Sequence, residues 1–188
     1  MNAIAIRDKS LFEMTLKATV IYDDFDFATR TAALLERVAA RVREAVKWEV
    51  KPWRLDLLKQ PALAETALAE AAETDLIVFA LSRTFSPPPE LTVWLEQWEA
   101  HRQIPDPAIM VLFPGEYAAA MPLWQELKQF AGRHGLAFLS SRDVRENGDS
   151  MQFVYELWQR RQPAAPALEL FADSLHPPRR PRQWGINE

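Results

Sequence analysis

The sequence predicts a three-layer α/β protein, in which helices cover both faces of a doubly wound, five-stranded parallel sheet. Short apolar segments alternate with segments of helical period five times along the chain, a pattern typical of βαβ units. One apolar segment, LIVFAL at 76–81, is hydrophobic at every position, as a strand covered on both faces would be. With 188 residues, 48% of them hydrophobic, the chain is long enough to form one packed domain.

The first half of the chain supplies three strands and two helices. A strand over 16–22 precedes a helix over 27–46 whose apolar residues share one stripe. The second strand, over 48–55, contains Pro52, which cannot donate a hydrogen bond to a ladder and therefore indicates a sheet edge. The second helix, over 61–73, begins with proline, a residue preferred at the first helical position. The all-apolar segment described above is the third strand.

The second half of the chain repeats the same alternation. A helix over 90–102 follows three consecutive prolines and precedes a strand over 108–113. The next helix, over 122–135, ends on a glycine, the residue best suited to a left-handed C-terminal cap. A strand over 136–139 and a helix over 150–161 complete the series. Strands and helices therefore alternate along the whole of the predicted domain.

Two observations limit the possible order of these strands. Right-handed crossovers leave few topologies for a parallel sheet, and the second strand belongs at an edge while the third belongs inside. The order 2-1-3-4-5 satisfies both conditions and is the flavodoxin-like winding. We expect this domain to cover residues 1–162.

A proline- and arginine-rich arm follows at residues 163–188. Its Arg179, Arg180 and Arg182 are too few for strong counterion release, so nucleic acid is not the expected partner. We expect the arm to pack on its own domain or on a neighbouring subunit, with Trp184 as the anchor, so that its deletion lowers the melting temperature or dissociates a dimer.

The composition excludes several other classes of protein. The absence of cysteine excludes a disulfide scaffold, a thiolate metal site and a cysteine nucleophile. No segment contains the ~18 uncharged apolar residues that a membrane helix needs, and the first residues are charged too early for a signal peptide. The net charge of −4 is too small to argue for or against a polyanionic partner. We expect a cytoplasmic protein without a membrane partner.

Ligands of an open parallel sheet bind beyond the carboxyl ends of its strands, near the switch point between the first and third strands. The polar residues that follow four of the strands are therefore the candidate ligand-binding residues: Asp23, Asp24, Asp26, Ser82, Arg83, Glu116, Ser140 and Arg142. Carboxylates at a strand end are suitable ligands for Mg²⁺, which makes Asp23 and Asp24 the candidate metal ligands. The alternative is that these aspartates only cap the following helix. No glycine-rich nucleotide-binding motif is present, so we expect no cofactor unless Mg²⁺ binds.

Two segments, VIYDDFDF at 20–27 and DLIVFALS at 75–82, resemble the response-regulator receiver family. The order of elements over residues 16–161 is similar as well. Receivers hold Mg²⁺ with an acidic pair after the first strand, and the resemblance places Asp23 and Asp24 there. The residues at the positions of the family's phosphoacceptor aspartate, hydroxyl and lysine are Ala80, Phe113 or Pro114, and Ser140 or Ser141. The resemblance therefore implies the fold without the family's phosphoryl chemistry.

Tryptophan is the remaining signal for function. Trp94 and Trp98 lie one helical turn apart and, together with Trp184, are candidates for an interface because tryptophan is enriched in contact surfaces. The alternative for the first two is packing of a helix on the sheet. We expect a receiver-like protein that is not phosphorylated and works in signalling through protein contacts or self-association. The alternative is a small enzyme or ligand-binding protein that depends on a divalent cation.

Overall fold

Five strands form one parallel sheet in the computed structural model of the chain, which describes residues 14–39, 46–114 and 121–140. They are β1 (Met14–Tyr22), β2 (Val46–Arg54), β3 (Leu76–Ala80), β4 (Ala108–Leu112) and β5 (Ala137–Ser140). Their order is β2-β1-β3-β4-β5, and every neighbouring pair is parallel. This is the flavodoxin-like order, so the predicted fold class is confirmed.

Within the described ranges, four α-helices and one short 3₁₀-helix connect the strands. The α-helices are α1 (Phe25–Ala39), α2 (Pro61–Ala71), α3 (Pro89–His101) and α4 (Pro122–Arg133). Three of them begin with proline, because the first helical turn needs no N–H donor at that position. The 3₁₀-helix, over Leu55–Lys59, was not predicted. It forms because a tight turn brings Leu55 and Leu58, three residues apart, to the same buried side.

The strand β3 lies at the centre of the core. All five of its residues are buried, and their side chains alternate between two apolar layers. Ile77 and Phe79 pack in the layer that contains α2, α3 and α4, whereas Leu76, Val78 and Ala80 pack in the layer that contains α1. An interior parallel strand of this kind confirms the interpretation of the segment LIVFAL.

The start of β3 is joined to β1 by paired hydrogen bonds. The backbone N–H of Asp75 donates to the carbonyl oxygen of Lys17 at 2.9 Å, and the N–H of Lys17 donates to Oδ2 of Asp75 at 2.8 Å. The hydroxyls of Thr19 and Thr74 form a buried hydrogen bond beside them at 2.8 Å. These contacts give the buried polar groups partners, and they show that the backbone of Lys17 faces β3.

The prediction that Trp94 and Trp98 form an interface is wrong, because both side chains are buried. The indole N–H of Trp94 donates to the carbonyl oxygen of Ala64 at 3.2 Å, and that of Trp98 donates to the carbonyl oxygen of Ala71 at 3.0 Å. Both acceptors belong to α2. The two tryptophans therefore join α3 to α2 within the core, which is the alternative that helical spacing had left open.

Several predictions concern residues outside the described ranges. These are the helix over 150–161, the arm over 163–188 with Trp184, and the candidate site residues Glu116 and Arg142. The boundary between domain and arm also stays a prediction. Within the described part of the chain, no helix is long and apolar enough to span a membrane.

Candidate functional site

The carboxyl ends of β1 and β3 meet through the side chain of Asp23. Its Oδ1 accepts hydrogen bonds from the backbone N–H of Ser82 at 2.8 Å and from the hydroxyl of Ser82 at 3.2 Å. Its Oδ2 accepts from the N–H of Arg83 at 2.8 Å and from the N–H of Thr84 at 2.7 Å. Three successive N–H groups of the loop after β3 therefore converge on one carboxylate, as in the anion-binding concavities that backbone amides form.

This arrangement stabilises the charged form of Asp23. Partial burial by itself would raise the pKa of the carboxyl. The backbone N–H groups of Ser82, Arg83 and Thr84, with a contribution from the Thr84 hydroxyl, outweigh burial and lower the pKa below its usual value. At neutral pH the carboxylate is therefore an anion, and it occupies the concavity formed by the loop after β3.

The neighbouring Asp24 has a different set of partners. Its Oδ1 accepts a hydrogen bond from the backbone N–H of Phe27 at 3.0 Å, which makes Asp24 the N-cap of α1. Its Oδ2 lies 2.5 Å from Nη2 of Arg83, whose side chain is 74% exposed. An ion pair this exposed contributes little stability, at most about 1 kcal/mol. The capping role that competed with a metal site is therefore present for Asp24.

The other predicted site residues lie apart from this pair. Asp26 is exposed in the first turn of α1. Ser140 ends β5, and two strands separate β5 from β1, a distance of roughly 14 Å across the sheet. The structure therefore brings together the candidates after β1 and β3, namely Asp23, Asp24, Ser82 and Arg83, and it leaves Asp26 and Ser140 outside their hydrogen-bond network.

The donor set of the acidic pair does not fit Mg²⁺. A metal ion requires free carboxylate lone pairs, but the oxygens of Asp23 already accept from three N–H groups and one hydroxyl. The charge of Asp24 is already opposed by the guanidinium of Arg83. Within the described ranges, no group of three acidic or histidine side chains is arranged to hold a metal ion.

A cleft beside Asp23 contains charged residues that the sequence analysis missed. Its volume is about 580 Å³, and it lies where β1, β2 and β3 end. Arg54 forms a two-point ion pair with Asp56, at 2.5 Å for Nε–Oδ1 and 2.7 Å for Nη2–Oδ2. Across the cleft, Nζ of Lys59 lies 3.5 Å from Oε1 of Glu90. The rule that ligands bind at strand ends also covers the loop after β2 and could have identified these residues.

Comparisons with known proteins bear on the fold alone. No protein-family model matches the chain, and no curated protein matches it significantly. Similar solved structures include an azoreductase from Bacillus anthracis str. Sterne, with 12% identity and a TM-score of 0.42, covering 77% of this chain and 96% of that chain. Smu.1420 from Streptococcus mutans UA159 also has 12% identity, with a TM-score of 0.36, covering 77% of this chain and 97% of that chain. Similarity at this level assigns no activity.

Proposed function

We propose that this protein is a receiver-like scaffold that is not phosphorylated and acts through contacts with other proteins or with copies of itself. The observation that carries the proposal is the use of Asp23 as an internal anion, bound by three backbone N–H groups of the loop after β3. A carboxylate held in this way fastens two strands and has no free oxygen for chemistry. Signalling is the process that the receiver resemblance implies for such a scaffold.

The end of β3 supports the same proposal. The last residue of this strand is Ala80, a buried methyl group at the position where the resemblance would require a phosphoacceptor aspartate. An external phosphate at the adjoining loop would also compete with the carboxylate of Asp23 for the same N–H donors. Both the acceptor and the anion-binding surface of a phosphorylation site are therefore lacking at this position.

Treatment of the purified protein with a small phosphodonor, followed by measurement of the intact mass, tests the proposal. We expect no added phosphoryl group, while a phosphorylatable receiver domain in the same reaction confirms that the donor is active. A stable phosphoryl adduct on this chain would refute the proposal, and fragmentation of the adduct would then identify the acceptor residue.

A second candidate function is supported by the cleft of about 580 Å³, which is large enough for a small ligand and is lined by charges of both signs. It corresponds to a ligand-binding protein or a small cation-dependent enzyme with its site at the carboxyl edge of the sheet. Calorimetric titration with Mg²⁺, Mn²⁺ and Ca²⁺ separates the two candidates. Heat that disappears in Asp56→Asn favours the cleft, whereas the scaffold proposal predicts no heat with any of the three cations.

A further inference from the structure

The strand β2 is the edge of the five-stranded sheet among the described residues, and it is nine residues long. One side of its backbone pairs with β1. The other side presents N–H and C=O groups that no described strand covers, and such an edge is a template for pairing with another strand. The direction of each backbone group along β2 therefore decides what the edge can bind.

Hydrogen bonds elsewhere in the sheet establish that direction. The carbonyl oxygen of Lys17 accepts from Asp75 at the start of β3, so Lys17 and the other odd-numbered residues of β1 face β3. The even-numbered residues of β1 therefore face β2. In a parallel pair each residue bonds to the neighbours of its opposite residue, and Leu16 stands opposite Trp48. Leu16 thus bonds to Lys47 and Glu49, and the even-numbered residues of β2 face outward.

Pro52 supports this assignment independently. Proline has no N–H, and it is tolerated in a strand where its nitrogen faces away from the ladder. Position 52 lies within the continuous register of β1 and β2, opposite Val20, so its nitrogen faces outward. Position 52 is even, in agreement with the hydrogen bonds of β1. The outward donors next to it are the N–H groups of Trp48 and Val50.

We propose that β2 pairs antiparallel with β2 of a second copy of this chain, on a two-fold axis through Trp48, so that the two sheets become one continuous sheet. In this register Trp48 stands opposite Trp48 of the second copy, and Val50 stands opposite Val46 of the second copy. The outward residues Val46, Trp48 and Val50 then exchange about six backbone hydrogen bonds. The proposal rests on the proposed function, since it names a protein contact that the scaffold makes.

The charges on β2 select this register. With the axis at Trp48, Lys47 stands opposite Glu49 of the second copy, at a non-hydrogen-bonded pair where side chains are closest. Moving the axis to Glu49 would place this carboxylate against itself and Lys47 against Lys51. Lys47 also interacts within its own chain. The choice of register depends only on which charges of the two copies stand opposite each other.

Pro52 excludes a second register in which unlike charges would also stand opposite each other. With the axis at Val50, Glu49 would stand opposite Lys51, which is also favourable. That register would place Trp48 opposite Pro52, however, and each of the two symmetric pairs would lose the bond that a proline cannot donate. With the axis at Trp48, Pro52 stands opposite no described residue of the second copy, so it removes no hydrogen bond from the described pairs. Charge pairing and hydrogen bonding therefore favour the same register.

The mass of the full-length chain in solution, measured by light scattering over a range of concentrations, tests the pairing. Val50→Pro removes an outward N–H at a position equivalent to that of Pro52, and Val50→Ala is the matched control that keeps this N–H. We expect dimers for the wild type and for Val50→Ala, and monomers for Val50→Pro. A monomeric wild type at every concentration, or a dimer of Val50→Pro as tight as that of Val50→Ala, overturns the proposal.

A charge variant keeps the test valid if Val50→Pro fails to fold. Glu49 is exposed but stands opposite Lys17 of β1, so urea unfolding of Glu49→Lys is measured beside its mass to separate a loss of monomer stability from dissociation of the dimer. In the proposed register this substitution places lysine against Lys47 of the second copy at two symmetric pairs, and we expect the dimer to dissociate about tenfold more readily. The neutral control Glu49→Gln should have a smaller effect. Equal dissociation constants for Glu49→Lys and the wild type would exclude this register.

Disulfide formation reports the register directly, because the chain has no cysteine of its own. In Trp48→Cys the two Cα atoms would stand about 5.5 Å apart across the axis, within the range of a disulfide. In the control Lys51→Cys they would stand roughly 20 Å apart along the strand. We expect an oxidised dimer only for Trp48→Cys, and the reverse result contradicts the axis. These results do not depend on the phosphodonor experiment, so the failure of one proposal is distinguishable from that of the other.

Discussion

Asp23 determines how the carboxyl ends of β1 and β3 are held together. Its side chain satisfies three backbone N–H groups of a loop that lies 59 to 61 positions later in the chain. Without the carboxylate, the three N–H groups would lose the acceptor on which they converge. The N–H groups of Ser82 and Thr84 are half-buried, and such a donor without an acceptor costs about 1–3 kcal/mol, so the side chain of Asp23 contributes substantially to the stability of this edge.

We predict that Asp23→Asn lowers the free energy of unfolding by about 3 kcal/mol, because the amide nitrogen of asparagine cannot accept a hydrogen bond from the loop. Urea unfolding at neutral pH measures the change. Asp26→Asn is the matched control, since Asp26 is exposed, and it should change the free energy by less than about 0.5 kcal/mol. Equal effects of the two substitutions would show that Asp23 does not fasten the strands.

The stabilisation by Asp23 should depend on pH in one direction. The pKa of Asp23 is lower in the folded state than in the unfolded state. The ionised carboxylate therefore stabilises the folded protein more than the protonated carboxyl does. The contribution is complete above the unfolded pKa of about 3.9, and it is lost as the pH falls through the folded pKa. The difference between wild type and Asp23→Asn should therefore be constant near neutral pH and become smaller below about pH 4. A difference that grows on acidification contradicts this assignment.

Among the elements, α1 has the best-defined start. Asp24 accepts the N–H of Phe27 and so caps the first turn, whereas prolines begin α2, α3 and α4. Local sequence predicts such helix starts well, because the groups that determine them lie within one turn of the chain. The 3₁₀-helix after β2 was missed, because its turn is stabilised by the burial of two leucines against distant residues.

We predict that Asp24→Ala destabilises the protein by about 1 kcal/mol through loss of the α1 cap. Asp24→Asn keeps an oxygen that can accept the N–H of Phe27 and loses only the exposed ion pair with Arg83, so it should remain close to wild type. Thermal unfolding of both variants distinguishes the two roles. If Asp24→Asn were as destabilised as Asp24→Ala, the ion pair rather than the cap would be the main contribution.

For the whole molecule, protection from solvent should decrease from the centre of the sheet to the edge. The amides of Ile77 and Phe79 belong to a strand that is paired on both sides and buried on both faces. We predict that they exchange with deuterium only through global unfolding. The outward amides of Trp48 and Val50 should exchange quickly in dilute protein and slowly in concentrated protein, where β2 would pair with a second copy.

Hydrogen exchange followed by NMR resolves these amides. Lys47 and Glu49 provide the internal comparison, because their N–H groups face β1 and should be protected at every protein concentration. Protection of Val50 that is high and independent of concentration would mean that its N–H is bonded within the monomer. Exchange of Phe79 that is faster than that of Glu49 would contradict β3 as the most stable strand.

The sequence by itself determined the class and winding of the sheet. Six consecutive apolar residues identified β3 as interior, and Pro52 identified β2 as an edge, so that among the few orders that chirality allows 2-1-3-4-5 fitted both. These features can be recognised in the sequence because the burial of a strand and the absence of a proline N–H each depend on the residues of that strand alone. They also placed Asp23 and Asp24 correctly at the end of β1.

Only the tertiary structure decided what those residues do. The two candidate roles of Asp23 and Asp24, capping and metal binding, differ in which groups meet their oxygens, and the N–H donors for Asp23 come from a loop on another strand. The burial of Trp94 and Trp98 likewise depends on carbonyl groups of α2. Local sequence encodes periodicity and caps, whereas the partners of a side chain depend on which distant segments folding brings beside it.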